Sequence, residues 1–125
     1  MISLSEILKL HELSIQKYGG SHGVRDEGLL DSAIARPFQT FGGEDLYASA
    51  IEKAAAIAES LIINHPFVDG NKRAGFLAML AVLKMGKKNL IANEEDTYQF
   101  TITISTGAIR FDQIVEWLKN NTQQL

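Results

Sequence analysis

Residues 65–76 of the chain read HPFVDGNKRAGF, a polar stretch that lies between two long apolar segments. Residues 46–64 and 76–85 are apolar on most sides, which is typical of helices at the centre of a fold. Pro66 disfavours a helical conformation at the residue before it, so the first helix is predicted to end at residue 65. A second helix is predicted to begin at Asn71 or just before it. The sequence therefore predicts a polar turn held between two buried helices, a suitable place for a rigid functional site.

The chain before this core also has helical patterns. Ser3 and Glu6 have the spacing of a capping box, and a helix is predicted from there to the glycine pair at residues 19–20. A short helix is predicted over about residues 26–35, because Pro37 follows its end.

Three other segments are less uniform. Residues 36–45 combine aromatic residues, a proline and a glycine pair, and predict an ordered loop or a small hairpin. Residues 97–105 alternate apolar and polar side chains, which is a strand pattern. However, residues 93–96 form a good helix start. The last segment, about residues 111–120, is predicted to be helical.

The bulk composition is that of one globular domain spanning residues 1–125. The chain is 46% hydrophobic and 22% charged and has no cysteine, so disulfides and thiolate metal sites are excluded. The net charge of −3 gives no electrostatic support for nucleic-acid binding, which disfavours a nucleic-acid-binding helical domain. Because we find no signal peptide and no apolar run long enough to span a bilayer, we expect a soluble, cytoplasmic protein without membrane contacts.

The groups within residues 65–76 are complementary and suit phosphate chemistry. His65 can act as a base near neutral pH, and Asp69 can hold Mg²⁺. Gly70 lets the backbone approach a ligand closely, and the three residues that follow supply donors and positive charge. Free N–H groups at the start of the second helix would form an anion site. This combination favours phosphoryl or nucleotidyl transfer, in which positioning and charge neutralisation do most of the catalysis.

The alternative interpretation is an exposed polar stripe with weak ion pairs on one unbroken helix. Pro66 and Gly70 count against such a helix, and the density of complementary groups counts further. A P-loop is excluded, because Phe76 and Leu77 stand where the Lys and the Ser or Thr should follow the second glycine.

Residues 65–73 resemble the signature of the Fic family, H-P-F-x-D/E-G-N-G-R-x-x-R, at all but two of its defined positions. Lys72 replaces the third motif glycine, and Phe76 replaces the second arginine. Both departures are those of the Doc (death-on-curing) branch, whose signature ends N-K-R. Doc-like stretches at residues 18–20 and 23–30 extend the resemblance over nearly the whole chain.

The resemblance implies an all-α fold, a compact bundle of about six helices with a short flap or hairpin before the central helix. It therefore implies a helix at residues 97–105. It implies that His65 is the catalytic base, that Asp69 is the Mg²⁺ ligand, and that Phe67 packs into the core and supports the motif. The implied ATP and phosphate-binding residues are Gly70, Asn71, Lys72 and Arg73. The family's target-docking flap, which binds a substrate segment by strand addition, corresponds to Phe38, Gln39, Thr40, Phe41, Gly42 and Gly43.

The resemblance also implies a reaction and partners. Typical Fic enzymes use the second motif arginine to orient ATP and attach AMP to a protein, but Phe76 cannot bind phosphate. In the Doc branch ATP binds reversed and presents its γ-phosphate. We therefore expect a toxin that phosphorylates a Ser or Thr hydroxyl of a protein, with elongation factor Tu as the family's target, and so blocks translation. A Phd-type antitoxin is the expected partner. Two alternatives stay open: AMP transfer, and a catalytically degenerate Fic scaffold that only binds partners.

Overall fold

The computed structural model describes residues 1–125 and consists mainly of helices. The six α-helices are α1 (Leu4–Tyr18), α2 (Glu27–Ala35), α3 (Ala50–Asn64), α4 (Asn71–Met85), α5 (Glu94–Ser105) and α6 (Phe111–Asn121). Two antiparallel strand pairs accompany them, β1 (Thr40–Phe41) with β2 (Glu44–Asp45), and β3 (Lys88–Leu90) with β4 (Thr122–Gln124). This confirms the prediction of an all-α bundle of six helices with a hairpin before the central helix. None of these helices combines the length and the apolar character that crossing a membrane requires.

Side-chain caps decide where the first helices begin. At the start of α1, Ser3 and Glu6 form the predicted capping box, in which each side chain bonds the other's backbone N–H at 3.2 Å. The prediction that α3 starts at residue 46 is wrong by four residues. The helix starts at Ala50 because Ser49 accepts a hydrogen bond from the backbone N–H of Glu52, so residues 46–49 only connect β2 to α3.

Helices α3 and α4 form the centre of the fold. All residues from 54 to 62 of α3 are buried, and four of them are alanines that let the two helices approach closely. Gly75 of α4 belongs to this contact, because a Cβ atom there would lie only 2.5 Å from Cγ1 of Ile62. The polar turn at residues 65–70 joins these two helices, so it stands on the best-packed part of the molecule.

The helix that the resemblance implied at residues 97–105 is confirmed, because this segment lies in α5, and the alternating pattern there does not form a strand. Asn93 caps the helix by accepting a hydrogen bond from the backbone N–H of Asp96 at 2.8 Å. Phe100 and Ile104, one helical turn apart, are buried, and Phe100 stacks on Trp117 of α6 at 3.7 Å between ring centroids. The capped first turn and this packing outweigh the β-propensity of the segment.

An ion network centred on the buried Glu59 fixes the segment before the hairpin. Glu59 of α3 accepts hydrogen bonds from Arg36 at 2.9 Å and from Arg110 at 3.0 Å, and Arg36 also donates to the hydroxyl of Tyr47. Burial works to raise the pKa of Glu59, but the hydrogen bonds from the two arginines outweigh it, so the pKa lies below its ordinary value. The network connects α3 with the chain on both sides of the hairpin and with the start of α6.

Candidate active site

The turn between α3 and α4 begins with a strained residue. His65 ends α3 in the left-handed conformation (φ 51°, ψ 57°), which costs a non-glycine residue about 1 kcal/mol or more. The side chain of Arg25 holds this end of the helix, since it donates to the backbone carbonyl of Asn64 at 2.8 Å and to that of His65 at 2.6 Å. These two acceptors belong to the last turn of α3, whose carbonyls have no partner within the helix.

The loop between α1 and α2 braces the turn along its length. The backbone N–H groups of Arg25 and Asp26 donate to the carbonyl of Pro66 at 2.8 and 3.0 Å. In the opposite direction the N–H of Val68 donates to the carbonyl of Gly23 at 3.0 Å. The turn and the loop between α1 and α2 are therefore paired by an antiparallel β-bridge, although the turn itself lies between two helices.

Phe67 lies in the core below the turn. It is 1% exposed and stacks on the ring of His11 at 3.8 Å between centroids. His11 is itself buried, and its Nε2 lies 2.8 Å from the carbonyl oxygen of Asp69. Because that carbonyl can only accept, the Nε2 atom carries the proton in this contact. Phe67 and His11 together hold the middle of the turn on α1.

The side-chain amide of Asn71 forms hydrogen bonds to the backbone of the turn. Its Oδ1 accepts from the N–H of Phe67 at 2.9 Å, and its Nδ2 donates to the carbonyl of Phe67 at 3.0 Å. The same Nδ2 lies 3.4 Å from Nδ1 of His65. Asn71 is 7% exposed, so its side-chain amide is committed to the turn, and its backbone N–H in the first turn of α4 is the group left to bind an anion.

The carboxylate of Asp69 lies at the surface and is held by backbone donors. Ser21 donates its N–H to Oδ2 at 3.1 Å, and Gly70 donates its N–H to Oδ1 at 2.8 Å. The hydrogen bond from Ser21, followed by that from Gly70, lowers the pKa of Asp69. Gly20 permits this approach, since a Cβ atom there would lie 2.7 Å from Oδ2.

The first turn of α4 carries positive charge and unpaired donors. Gly70 is the N-cap in a left-handed conformation (φ 76°) and offers no side-chain cap, and the first helical hydrogen bond joins the N–H of Ala74 to its carbonyl. The three preceding N–H groups are therefore free to bind an anion. Arg73 donates to the carbonyl of Gly19 at 2.9 Å, while Lys72 is exposed.

These groups line one open cleft of about 690 Å³. The cleft brings together six residues of the sequence-predicted site: His65, Asp69, Gly70, Asn71, Lys72 and Arg73. Asp69 is its only carboxylate, and no group of three or more histidine and acidic side chains is placed to hold a metal ion. This donor set fits Mg²⁺ better than a metal held wholly by protein, because Mg²⁺ is commonly bound by one or two carboxylates together with substrate phosphates.

The six residues expected to form a docking flap do not line the cleft. Phe38 ends a 3-10 turn (Arg36–Phe38) and packs against the core, and Gln39 follows it. Thr40 and Phe41 form β1, and the glycine pair at residues 42–43 makes the turn of the hairpin. Phe41 is 83% exposed, so the hairpin presents a large apolar side chain to solvent.

Residues 1–83 of the chain match the model of the Fic/DOC family. The chain belongs to the Fic/DOC family. It is 46% identical over 76 residues to "Toxin Doc" of Mycolicibacterium smegmatis, an alignment that covers 61% of this chain and 58% of that relative, less than two thirds of its length. It is 26% identical over 118 residues to "Protein kinase doc" of Escherichia phage P1, with 94% and 92% of the two chains covered. These relatives place it in the Doc branch.

In this Fic/DOC protein the second wall of the cleft lies outside the family match. Tyr98 and Ser105 of α5 line the cleft, and the sequence interpretation did not single them out. The helix that the resemblance implied at residues 97–105 already places Tyr98, Thr101 and Ser105 along one side, since residues three, four and seven apart share a helix face, and this signal could have identified them. Arg25 was also missed, because nothing in its local sequence indicates a partner forty residues away.

Proposed function

We propose that this protein is a Doc-type toxin that transfers the γ-phosphate of Mg-ATP to a Ser or Thr hydroxyl of a target protein. The observation that carries the proposal is the cleft itself. In it a histidine, a single ionised carboxylate, two cations and an uncapped helix N-terminus converge on one open space. Phosphoryl transfer needs these groups and little else, because positioning and charge neutralisation supply most of its catalysis.

The proposed step is a direct displacement at phosphorus. The target oxygen forms a bond to the γ-phosphorus while the bond from that phosphorus to the β,γ-bridging oxygen breaks, and ADP leaves. His65 accepts the proton of the hydroxyl, which is the role of a general base. The bonds from Arg25 to the backbone carbonyls of Asn64 and His65 hold the end of α3, and with it the base, at the edge of the cleft.

The remaining residues would bind the phosphates. The free N–H groups of the first turn of α4 would bind non-bridging oxygens, with Lys72 and Arg73 adding positive charge. Asp69, whose pKa is lowered by its hydrogen bonds from Ser21 and Gly70, stays ionised and would hold Mg²⁺. A bound Mg²⁺ would neutralise charge on the phosphates as it develops.

The relatives and the hairpin support the biological part of the proposal. One relative is named a toxin and another a protein kinase. We therefore propose that the target is elongation factor Tu, whose modification would block translation. The proposed partner is a Phd-type antitoxin. The two-stranded hairpin has open edges and an exposed Phe41, so it is suited to bind an extended segment of the target by strand addition.

The test is intact-mass spectrometry of elongation factor Tu after incubation with this protein and Mg-ATP. His65→Ala removes the base, and His22→Ala is a matched control, since His22 lies at the surface and pairs only with Glu12. We expect a phosphate-sized gain with the unchanged protein and with His22→Ala, and none with His65→Ala.

The other outcomes separate the alternatives. An AMP-sized gain that depends on His65 would refute phosphate transfer and favour a protein AMP-transferase. No gain, combined with growth arrest that His65→Ala leaves intact, would refute both and favour a scaffold that only binds partners. If phosphate is transferred to another protein in a cell lysate but not to elongation factor Tu, the chemistry stands and the target is wrong.

A further inference from the structure

His11 of α1 is a buried polar side chain that the proposed reaction does not use. It is 4% exposed, and its ring stacks on Phe67 with an angle of 5° between the two planes. The side chain makes one hydrogen bond, from Nε2 to the backbone carbonyl of Asp69, which is 58 residues away in the sequence. Buried polar groups normally have a partner, but this one bonds the residue that carries the candidate Mg²⁺ ligand.

The carbonyl of Asp69 has no other hydrogen-bond donor within the protein. Its neighbours in the turn are satisfied locally. The N–H and the carbonyl of Phe67 bond the side chain of Asn71, and the carbonyl of Gly70 accepts the first helical bond of α4. By contrast, the carbonyl of Asp69 depends on His11, a side chain from another helix.

The peptide group between Asp69 and Gly70 is a planar unit, so a bond at one of its ends fixes the other. In a trans peptide the carbonyl oxygen and the amide hydrogen point in opposite directions. Because His11 holds the carbonyl toward α1, the N–H of Gly70 points away from α1, and it donates to Oδ1 of Asp69 at 2.8 Å. The bond from His11 therefore sets the direction of an N–H that holds the carboxylate.

Gly70 makes this orientation one of two that the backbone permits. Its φ of 76° is left-handed, and glycine adopts positive and negative φ about equally readily. A rotation of the peptide group would turn the carbonyl oxygen toward the carboxylate of Asp69 and toward the phosphates expected on the first turn of α4, where it would repel both. The carboxylate would also keep only one of its two backbone donors, the N–H of Ser21.

We propose that His11 is a positioning residue that holds the peptide group between Asp69 and Gly70 in the orientation needed to bind Mg²⁺ and phosphate, an inference that rests on the proposed function. His11 would touch neither the nucleotide nor the target protein. It acts through Asp69, as the hydrogen-bond partners of metal ligands act when they orient the ligating group. The stack on Phe67 fixes the ring, so that Nε2 presents its proton to this one carbonyl.

Two substitutions separate the hydrogen-bond donor of His11 from its ring. His11→Phe keeps a ring to stack on Phe67 and removes the donor, whereas His11→Gln removes the ring and keeps an amide nitrogen that can donate from a similar distance along the side chain. Ile7→Val trims a buried side chain one helical turn earlier and is the control for a loss of stability in α1. Thermal unfolding identifies a temperature at which every variant is folded.

The first measurement is the amide resonance of Gly70 in a proton–nitrogen NMR spectrum of the protein without nucleotide or metal. An N–H that donates to a carboxylate forms a short, charge-assisted hydrogen bond, which shifts its proton resonance downfield. We expect this shift in the unchanged protein, in Ile7→Val and in His11→Gln. We expect its loss in His11→Phe, because the peptide group is then free to rotate.

The second measurement is the Mg²⁺ concentration at which ATP binding, followed by calorimetry, and phosphate transfer are half-maximal. We expect His11→Phe to raise this concentration about 10–100-fold, the usual effect of removing a hydrogen-bond partner of a metal ligand. His11→Gln and Ile7→Val should stay close to the unchanged protein. Structural damage alone would lower the folded, active fraction and would leave the Mg²⁺ midpoint where it is.

An unchanged Gly70 resonance in His11→Phe would overturn the inference, as would a Mg²⁺ midpoint that does not move. Equal impairment of His11→Phe and His11→Gln would overturn it too, because the donor would then not be the group that matters. Failure of the proposed function looks different: the Gly70 resonance and the Mg²⁺-dependent binding of ATP follow the expected pattern, yet no target gains phosphate even with the unchanged protein.

Discussion

Replacing Arg25 by methionine is expected to destabilise the protein moderately and to slow transfer strongly. The side chain of Arg25 does not line the cleft, and its two hydrogen bonds go to the carbonyls of Asn64 and His65 at the end of α3. Methionine keeps an unbranched apolar stem and removes both donors. The backbone bonds from residues 25 and 26 to Pro66 remain, so the loop itself should stay in place.

The magnitude follows from those two bonds. Hydrogen bonds that involve a charged group contribute about 1.5–3 kcal/mol each, and we take a lower value of about 1 kcal/mol because Arg25 is exposed and water can replace it. The expected loss of unfolding free energy is therefore about 2 kcal/mol. The same bonds offset the cost of the left-handed backbone conformation at His65, which is about 1 kcal/mol. Without them, the backbone of His65 is expected to relax to a less strained conformation and to move the imidazole. A displacement of about 1 Å in the base would lower kcat about 100-fold.

The assay pairs urea unfolding with phosphate transfer kinetics. In Arg25→Met, kcat should fall while the KM for ATP changes little, because the nucleotide-binding groups are untouched. Arg25→Lys should lie between the two, since lysine keeps the charge but not the two-pronged geometry. Lys119→Met, which removes an exposed cation on α6, is the control. A loss of stability below about 0.5 kcal/mol with unchanged kcat would refute the positioning role, given the strength that such bonds normally have.

Three further substitutions test other contacts. Glu59→Ala leaves two arginines without their shared partner and should cost about 3 kcal/mol in urea unfolding at neutral pH, the low end for a broken buried pair, because Arg110 is largely exposed and Arg36 keeps other acceptors. Because the pKa of Glu59 is lowered in the folded state, that stabilisation is present at neutral pH and is lost as the pH falls through the lowered pKa. The two proteins should therefore converge in acid, and a gap that persists there would count against the ion network. Gly75→Ala should destabilise by about 1–3 kcal/mol through overlap with Ile62, despite the better helix propensity of alanine, and a stabilised variant would disprove the close contact. Gly20→Ala should displace the carboxylate of Asp69 and lower transfer about 100-fold, whereas normal Mg²⁺-dependent transfer would show that the carboxylate has room to move.

Capping, proline and spacing rules predicted the helix ends that depend on residues close together in the sequence. Pro66 and the run after it predicted the end of α3 and the start of α4, and the spacing of Ser3 and Glu6 predicted the first cap. At α5 the same rules gave two indications: residues 93–96 indicated a helix start, which the structure confirms, whereas the alternation over residues 97–105 indicated a strand. That pattern depends on which side of the segment is buried, and the helix buries Phe100 and Ile104 against neighbours that are distant in the sequence.

For the candidate site, too, the sequence determined some features and the tertiary structure determined others. Six of its groups lie within nine consecutive residues, so the sequence by itself determined that they would be near one another and which chemistry they could share. Only the tertiary structure decided how each is used: the amide of Asn71 is committed to the turn, Arg25 holds the end of α3, and Tyr98 forms a wall from α5. The physical reason is that short spacing constrains the backbone between neighbours, whereas contacts between segments forty residues apart depend on packing that no local pattern specifies.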